Sequence, residues 1–99
     1  MQLGIFARTF ARPNLEAVLD AVAAHGLRAV HFNLCCAGLP TMPERIDEAL
    51  CDRIRREMAA RDLTMASISG TYNMCHPEAA HRREYLRRLG VLVRACRPM

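Results

Sequence analysis

The chain reads as an α/β protein built on a parallel sheet. Three observations carry this: short apolar stretches at residues 3–8, 29–34 and 63–69, turn chemistry after each, and then a run whose apolar residues recur at helical spacing. Strands that alternate with helices need crossover connections, and crossovers lay successive strands parallel in one sheet. The expected order is βαβαβα.

The first stretch, residues 3–8, is a short apolar run of the kind that forms a buried strand. Arg12-Pro13-Asn14 is a turn, and Asn14 is placed to cap the helix that follows. Leu15, Val18, Leu19 and Val22 mark one face of that helix, and Gly26 supplies a left-handed stop. In the second strand, 29–34, Val30, Phe32 and Leu34 point one way and Ala29, His31 and Asn33 the other. The bulky side is expected to pack on helices, and the smaller, more polar side to face an interior or a cleft.

A loop over 35–43 contains Gly38-Leu39-Pro40. Asp47 can then cap a second helix whose stripe Ile46, Leu50, Ile54, Met58 runs on to about Arg61. Strict alternation in the third strand, 63–69, puts Met65, Ser67 and Ser69 on one face and Thr64, Ala66 and Ile68 on the other. The third helix is expected to begin near Glu78 and to bury Leu86, Leu89, Val93 and Cys96. Gly90 inside it costs about 1 kcal/mol relative to Ala, which leads one to expect close packing there.

Composition narrows the function. At 99 residues the chain is one domain at most, with 52% hydrophobic and 24% charged residues, the balance of a globular protein. No apolar run approaches the roughly 18 residues of a membrane span, and the N-terminus enters a strand pattern without a signal-peptide plan, so a cytoplasmic location without membrane contact is expected. Five cysteines without C-x-x-C spacing indicate neither a disulfide framework nor a zinc knuckle; they are expected to be reduced and mostly buried. The net charge of +4 rests on arginines alone, and three of them, Arg56, Arg61 and Arg88, follow an acid at i,i+4. Arg83, Arg87 and Arg94 form a solvated stripe. Aromatic residues do not interleave with the arginines, so a nucleic-acid partner is not expected.

The densest chemistry lies at Ser67 to His76, where hydroxyls, an amide and an imidazole follow the end of the third strand. In parallel α/β proteins, ligands gather beyond the carboxyl ends of the strands. By the same rule Arg8, at the end of the first strand, is a candidate for a phosphate or carboxylate, with a salt bridge as the alternative. His31 and Asn33 are candidates for ligand contact or interior hydrogen bonding, and Phe6 for lining or core. His76 is either a substrate contact or a cap of the third helix, and His25 a partner of a helix dipole.

Three segments carry a resemblance: Leu3-Gly4-Ile5-Phe6-Ala7-Arg8-Thr9-Phe10-Ala11-Arg12-Pro13, then Val30-His31-Phe32-Asn33-Leu34 with Cys36-Ala37-Gly38-Leu39-Pro40, then Ser69-Gly70-Thr71-Tyr72-Asn73-Met74-Cys75-His76-Pro77. Together they resemble the start of a sugar phosphate isomerase/epimerase of the xylose isomerase-like TIM barrels. The resemblance implies that residues 1–99 are the first three units of a (β/α)8 barrel of about 250 residues, cut before the fourth strand.

It also implies metal-assisted proton transfer beside the carbonyl of a sugar or sugar phosphate. The divalent metal would be held by acidic residues and a His from strands in the second half of the barrel. By this reading the 99 residues hold no metal ligand and no catalytic residue, and are inactive alone. They contribute substrate-binding residues: Phe6, Arg8, His31, Asn33, Ser67, Asn73 and His76. An endonuclease IV-like nuclease branch shares the Asn-x-x-His-Pro pattern of Asn73, His76 and Pro77. There a metal-binding His stands where this chain has Ser67, a poor zinc ligand. A third alternative is a non-catalytic module: helices on one face leave the other face of the sheet and its two edges free for self-association.

Overall fold

The structure, a computed structural model, describes residues 2–99. The chain runs β1 (Gly4–Phe6), a 3-10 turn (Ala7–Thr9), α1 (Leu15–Ala24), β2 (Ala29–Phe32), a second 3-10 turn (Leu34–Ala37), α2 (Glu48–Ala60), β3 (Thr64–Ile68) and α3 (Ala79–Cys96). The three strands form one parallel sheet in the order β1-β2-β3. This is the expected α/β order, with strands shorter than the apolar runs. Residues 7–9 and 34–37 turn into 3-10 geometry at the ends of β1 and β2, so Arg8 and Leu34 lie beyond the strands.

The core sits between the sheet and the helices. Val30 and Phe32 of β2 are fully buried against Leu15, Val18, Leu19 and Val22 of α1 and Ile54 and Met58 of α2. Leu34 is buried with them, as its phase on the sequence requires. The first two helices begin at the residues their chemistry marks: Asn14 Oδ1 accepts from Ala17 N at 2.9 Å, and Asp47 Oδ1 from Leu50 N at 2.8 Å.

The first two helices also end alike. Gly26 N bonds Ala23 O and Leu27 N bonds Val22 O; Asp62 N bonds Ala59 O and Leu63 N bonds Met58 O. Both are Schellman closures with the pivot residue left-handed, Gly26 at φ 73° and Asp62 at φ 54°. Aspartate tolerates that region better than most residues because its short side chain can bond locally. The two αβ turns therefore deliver β2 and β3 in equivalent fashion.

Strict alternation fails in β3. Ala29 pairs with Thr64 and Val30 with Met65, but His31 pairs with Ser67 and Phe32 with Ile68. Ala66 is an extra residue, a β-bulge that shifts the phase of everything after it. Met65 and Ile68 both pack toward the helices, while Ala66 and Ser67 share the open face. The grouping of Met65 with Ser67 is thus corrected: period two cannot anticipate an inserted residue.

The inward face of α3 is also corrected. Leu92 and Ala95 are buried, with Tyr85 and Leu89 packed beside them, whereas Leu86, Val93 and Cys96 are exposed. The helix carries two overlapping apolar stripes, and the leucines that meet Gly70 at the end of β3 decide which one turns inward. A Cβ on Gly70 would lie 3.2 Å from the methyls of Leu89 and Leu92. Gly90, by contrast, faces a movable neighbour: the atoms nearest a Cβ there belong to the Arg94 guanidinium, the closest at 3.3 Å, and the long arginine side chain can give way.

Of the cysteines, Cys36 and Cys51 are buried but Cys35, Cys75 and Cys96 are exposed, and all five are free. Two of the anticipated i,i+4 pairs form, Glu57–Arg61 at 2.7 Å and Glu84–Arg88 at 3.1 Å; Asp52 instead reaches Arg55. Arg53 to Glu16 and Arg61 to Asp20 tie α2 to α1, each at 2.6 Å. Arg88 joins α3 to the loop before α2 through Met42 O and Glu44. No described helix is long and apolar enough to cross a membrane.

Two glycines give opposite predictions. A Cβ on Gly4 would fall 2.8 Å from Ala29 O and 2.9 Å from Ala29 Cβ, both fixed by the sheet. Gly4→Ala is expected to destabilise by about 1–3 kcal/mol in urea unfolding, and Gly90→Ala to stabilise by about 1 kcal/mol. Acid should also weaken the fold. Glu84 bonds Arg87 and Arg88, which hold its carboxyl down at about 2. A pKa below the unfolded value means stability present above about pH 4.5 and lost as pH falls toward 2. Glu84→Gln is expected to flatten the urea midpoint over that window, and 1 M salt to shrink the difference.

Candidate site at the carboxyl ends of the strands

β1 and β2 place Phe6 and His31 side by side on the open face of the sheet. The two are register partners, and their rings meet with centroids 4.8 Å apart, tilted by 46°. On the other side of β2, Ser67 pairs with His31, and its hydroxyl lies 2.5 Å from His31 Nδ1. The bulge at Ala66 makes this contact by bringing Ser67 onto the open face. His31 is therefore held from both neighbouring strands, with Nδ1 committed to Ser67.

Beyond the strand ends the wall becomes polar. A cleft of about 440 Å³ is lined by Phe6, Arg8, His31, Asn33, Thr41, Ser69 and Thr71. Asn33 is almost fully buried, and its Oδ1 accepts from Cys35 N at 2.9 Å and Thr41 Oγ1 at 3.1 Å. These bonds shape the turn after β2 and pin the 35–43 loop over the cleft. The hydroxyls of Ser69 and Thr71 lie 3.3 Å apart. Arg8 forms no salt bridge among the described residues.

Below the cleft, Gly4, Ile5, Ala29 and Ala66 join Phe6 and His31 around a shallower apolar hollow of about 290 Å³. The open face thus has a small-residue floor and a polar rim.

The structure brings Phe6, Arg8, His31 and Asn33 together in one cleft and attaches Ser67 to it through His31. Asn73 and His76 do not line it. Asn73 Oδ1 accepts from Cys75 N at 3.0 Å, and His76 Nδ1 accepts from Glu78 N at 3.1 Å. His76 also accepts a hydrogen bond from Arg82 at its carbonyl and stacks on His81 at 3.8 Å, which stacks on Tyr85 at 4.5 Å. Glu78 makes no side-chain cap, so this turn starts α3 in its place.

Thr41 is the cleft residue that sequence reading missed. It lies eight residues beyond Asn33 in a loop without periodicity, and its role appears only when the loop folds back. Ser69 and Thr71 lie within the hydroxyl-rich stretch recognised at the end of β3.

A divalent metal does not fit these residues. Among the described residues no group of three or more His, Cys, Asp or Glu side chains stands together as a ligand set. The cleft wall offers one imidazole and no carboxylate. Compared with protein-family models, curated proteins and solved structures, the chain matches none.

The geometry predicts a large penalty at Asn33. Asn33→Ala leaves Cys35 N and Thr41 Oγ1 without their acceptor, at an expected cost of about 1–3 kcal/mol. Urea unfolding measures the cost. Proteolysis within 35–43 should accelerate in the variant.

Proposed function

We propose that the chain supplies three βα units of a xylose isomerase-like barrel, and that its polar cleft receives a sugar or sugar phosphate in an isomerase/epimerase. The observation that carries this is the convergence of Phe6, Arg8, His31 and Asn33 with Ser69 and Thr71 beyond the carboxyl ends of parallel strands. That is where parallel α/β folds place their ligands. The small residues Gly4, Ala29 and Ala66 on the open face support the same reading, because a barrel's inner wall has room only for limited volume near its axis.

The residues have separable tasks. The face of Phe6 suits the C–H surface of a sugar, while hydroxyls and the Asn33 amide suit its oxygens. His31, oriented through Nδ1 by Ser67, presents its other nitrogen as a hydrogen-bond group. A proton shuttled between sugar carbons needs a carboxylate or comparable base in reach. The cleft wall carries one imidazole and no carboxylate; in this reading it binds and orients the sugar, and the metal and carboxylates that the resemblance implies would come from other units of the barrel.

Titrating the labelled chain with D-fructose tests the reading by NMR. The expected result is saturable shifts of the His31 ring and of the Ser69 and Thr71 amides, with Arg28 unmoved. In D2O the ketose should gain no carbon-bound deuterium from this chain. Shifts absent at saturating sugar, or deuterium uptake by the sugar, would sink the proposal. Concentration-dependent broadening confined to Phe6, Ala29 and Ala66, without any response to sugar, would favour the module that self-associates through its open face.

A further inference from the structure

Cys35 and Cys36 stand side by side in the 3-10 turn that follows β2, Leu34–Ala37. Both are free thiols, but Cys35 is exposed and Cys36 is buried. They border a second cleft of about 180 Å³, whose wall also includes Arg8 and Arg12. The two thiols are within hydrogen-bonding reach of each other, and burial, with the adjoining Cys35 adding to it, pushes the Cys36 thiol up to about 11. Cys51, Cys75 and Cys96 have no cysteine beside them in the chain.

The backbone of this pair fastens the loop at the edge of the polar cleft. Cys35 N donates to Asn33 Oδ1 and Cys36 N to Asn33 O, each at 2.9 Å, and Gly38 N donates to Cys35 O at 3.2 Å. Asn33 Oδ1 also takes the Thr41 hydroxyl, so one side chain holds both ends of the loop. Adjacent residues of a 3-10 turn diverge by about 120° around its axis. Neighbouring Cα atoms are about 3.8 Å apart across a trans peptide, closer than the ~4.4–6.8 Å that disulfides ordinarily span. A bond between these two sulfurs therefore closes a tight ring and requires the turn to unwind.

We propose that Cys35 and Cys36 are a redox-modification site: a hydroperoxide converts them to a vicinal disulfide, and closure of that ring releases the 35–43 loop. The site lies beyond the sugar reading, because it acts on the loop whatever the cleft receives. In the first step the Cys35 sulfur, as thiolate, attacks the O–O bond of the hydroperoxide. An S–O bond forms and the O–O bond breaks. The departing oxygen takes up the proton that Cys35 gave up, leaving as water or as an alcohol. Sulfur loses two electrons and the peroxide gains them. The Cys36 sulfur then attacks the sulfenic sulfur: S–S forms, S–O breaks, and the departing hydroxide takes the Cys36 proton as water. The order follows access. Cys35 opens on the cleft, in the partly exposed, electropositive surroundings that suit a reactive cysteine, while Cys36 keeps its proton until the second step.

The test treats the full chain with one equivalent of hydrogen peroxide, then iodoacetamide, and maps tryptic peptides by mass spectrometry. Peptide 29–45 holds both thiols and no other cysteine. It should lose two hydrogens and escape alkylation, and dithiothreitol should return both thiols. Cys75 and Cys96 should still be alkylated. On the folded chain, proteinase K should cut within 35–43 severalfold faster after oxidation and at the original rate after reduction. Cys36→Ala should stop at a Cys35 sulfenic acid, trapped by dimedone, with loop cleavage unchanged by peroxide. Cys35→Ser, a change at an exposed position, should leave Cys36 a thiol and the loop closed. Cys75→Ser should behave as the parent chain, and equal urea midpoints would show that the variants fold.

A disulfide between two chains through Cys35, or oxidation falling first on Cys75 or Cys96, would overturn the proposal. So would sulfinic or sulfonic acid at Cys35 with Cys36 still alkylated, or a 35–36 disulfide that leaves loop cleavage unchanged. No readout involves sugar, so the outcome is independent of what the cleft binds.

Discussion

The fold depends on the two-sidedness of β2. Four residues must satisfy two environments at once: Val30 and Phe32 vanish into the helix layer, while Ala29 and His31 stand on the open face. Burying those two side chains fully against α1 and α2 fixes the rotation of the strand about its axis. Once that rotation is set, His31 has nowhere to point but between Phe6 and Ser67. The same hydrophobic contact that stabilises the core therefore aims the imidazole.

The outer strands conform to this central one in different ways. β1 approaches so closely at Gly4 that no larger residue fits against Ala29. β3 arrives with one residue too many and resolves the excess as a bulge. The loops at the strand ends are then fastened by side chains: Asn33 holds the 35–43 loop, Arg88 ties the Met42 carbonyl and the Glu44 carboxylate to α3, and His76 starts α3. The walls of the polar cleft are thus held by hydrogen bonds within the chain itself.

Much of this was legible in the amino-acid order because it depends on local rules. Asn14 and Asp47 cap, Gly26 closes a helix, and Val30, Phe32 and Leu34 are buried, each for a reason contained within a few neighbouring residues. What escaped depends on contacts between distant segments. The bulge at Ala66 is defined only against β2, the inward stripe of α3 only against Gly70, and the role of Thr41 only after its loop folds back onto Asn33. The gathering of Phe6, Arg8, His31 and Asn33 lies between these cases: parallel strand ends bring them near one another, while Arg8 reaches the cleft from a 3-10 turn that the strand pattern had concealed.

The extra residue in β3 has a consequence for how the chain tolerates changes in length. Without Ala66, Thr64, Met65, Ser67 and Ile68 would still oppose Ala29, Val30, His31 and Phe32 in unbroken alternation. A one-codon deletion there spares the orientation of every neighbour and only straightens the strand. The same deletion two positions later, at Ile68, takes away the side chain opposite Phe32 and brings the polar Ser69 toward the oily layer. Length variation in this strand is thus absorbed at one position and resisted beside it.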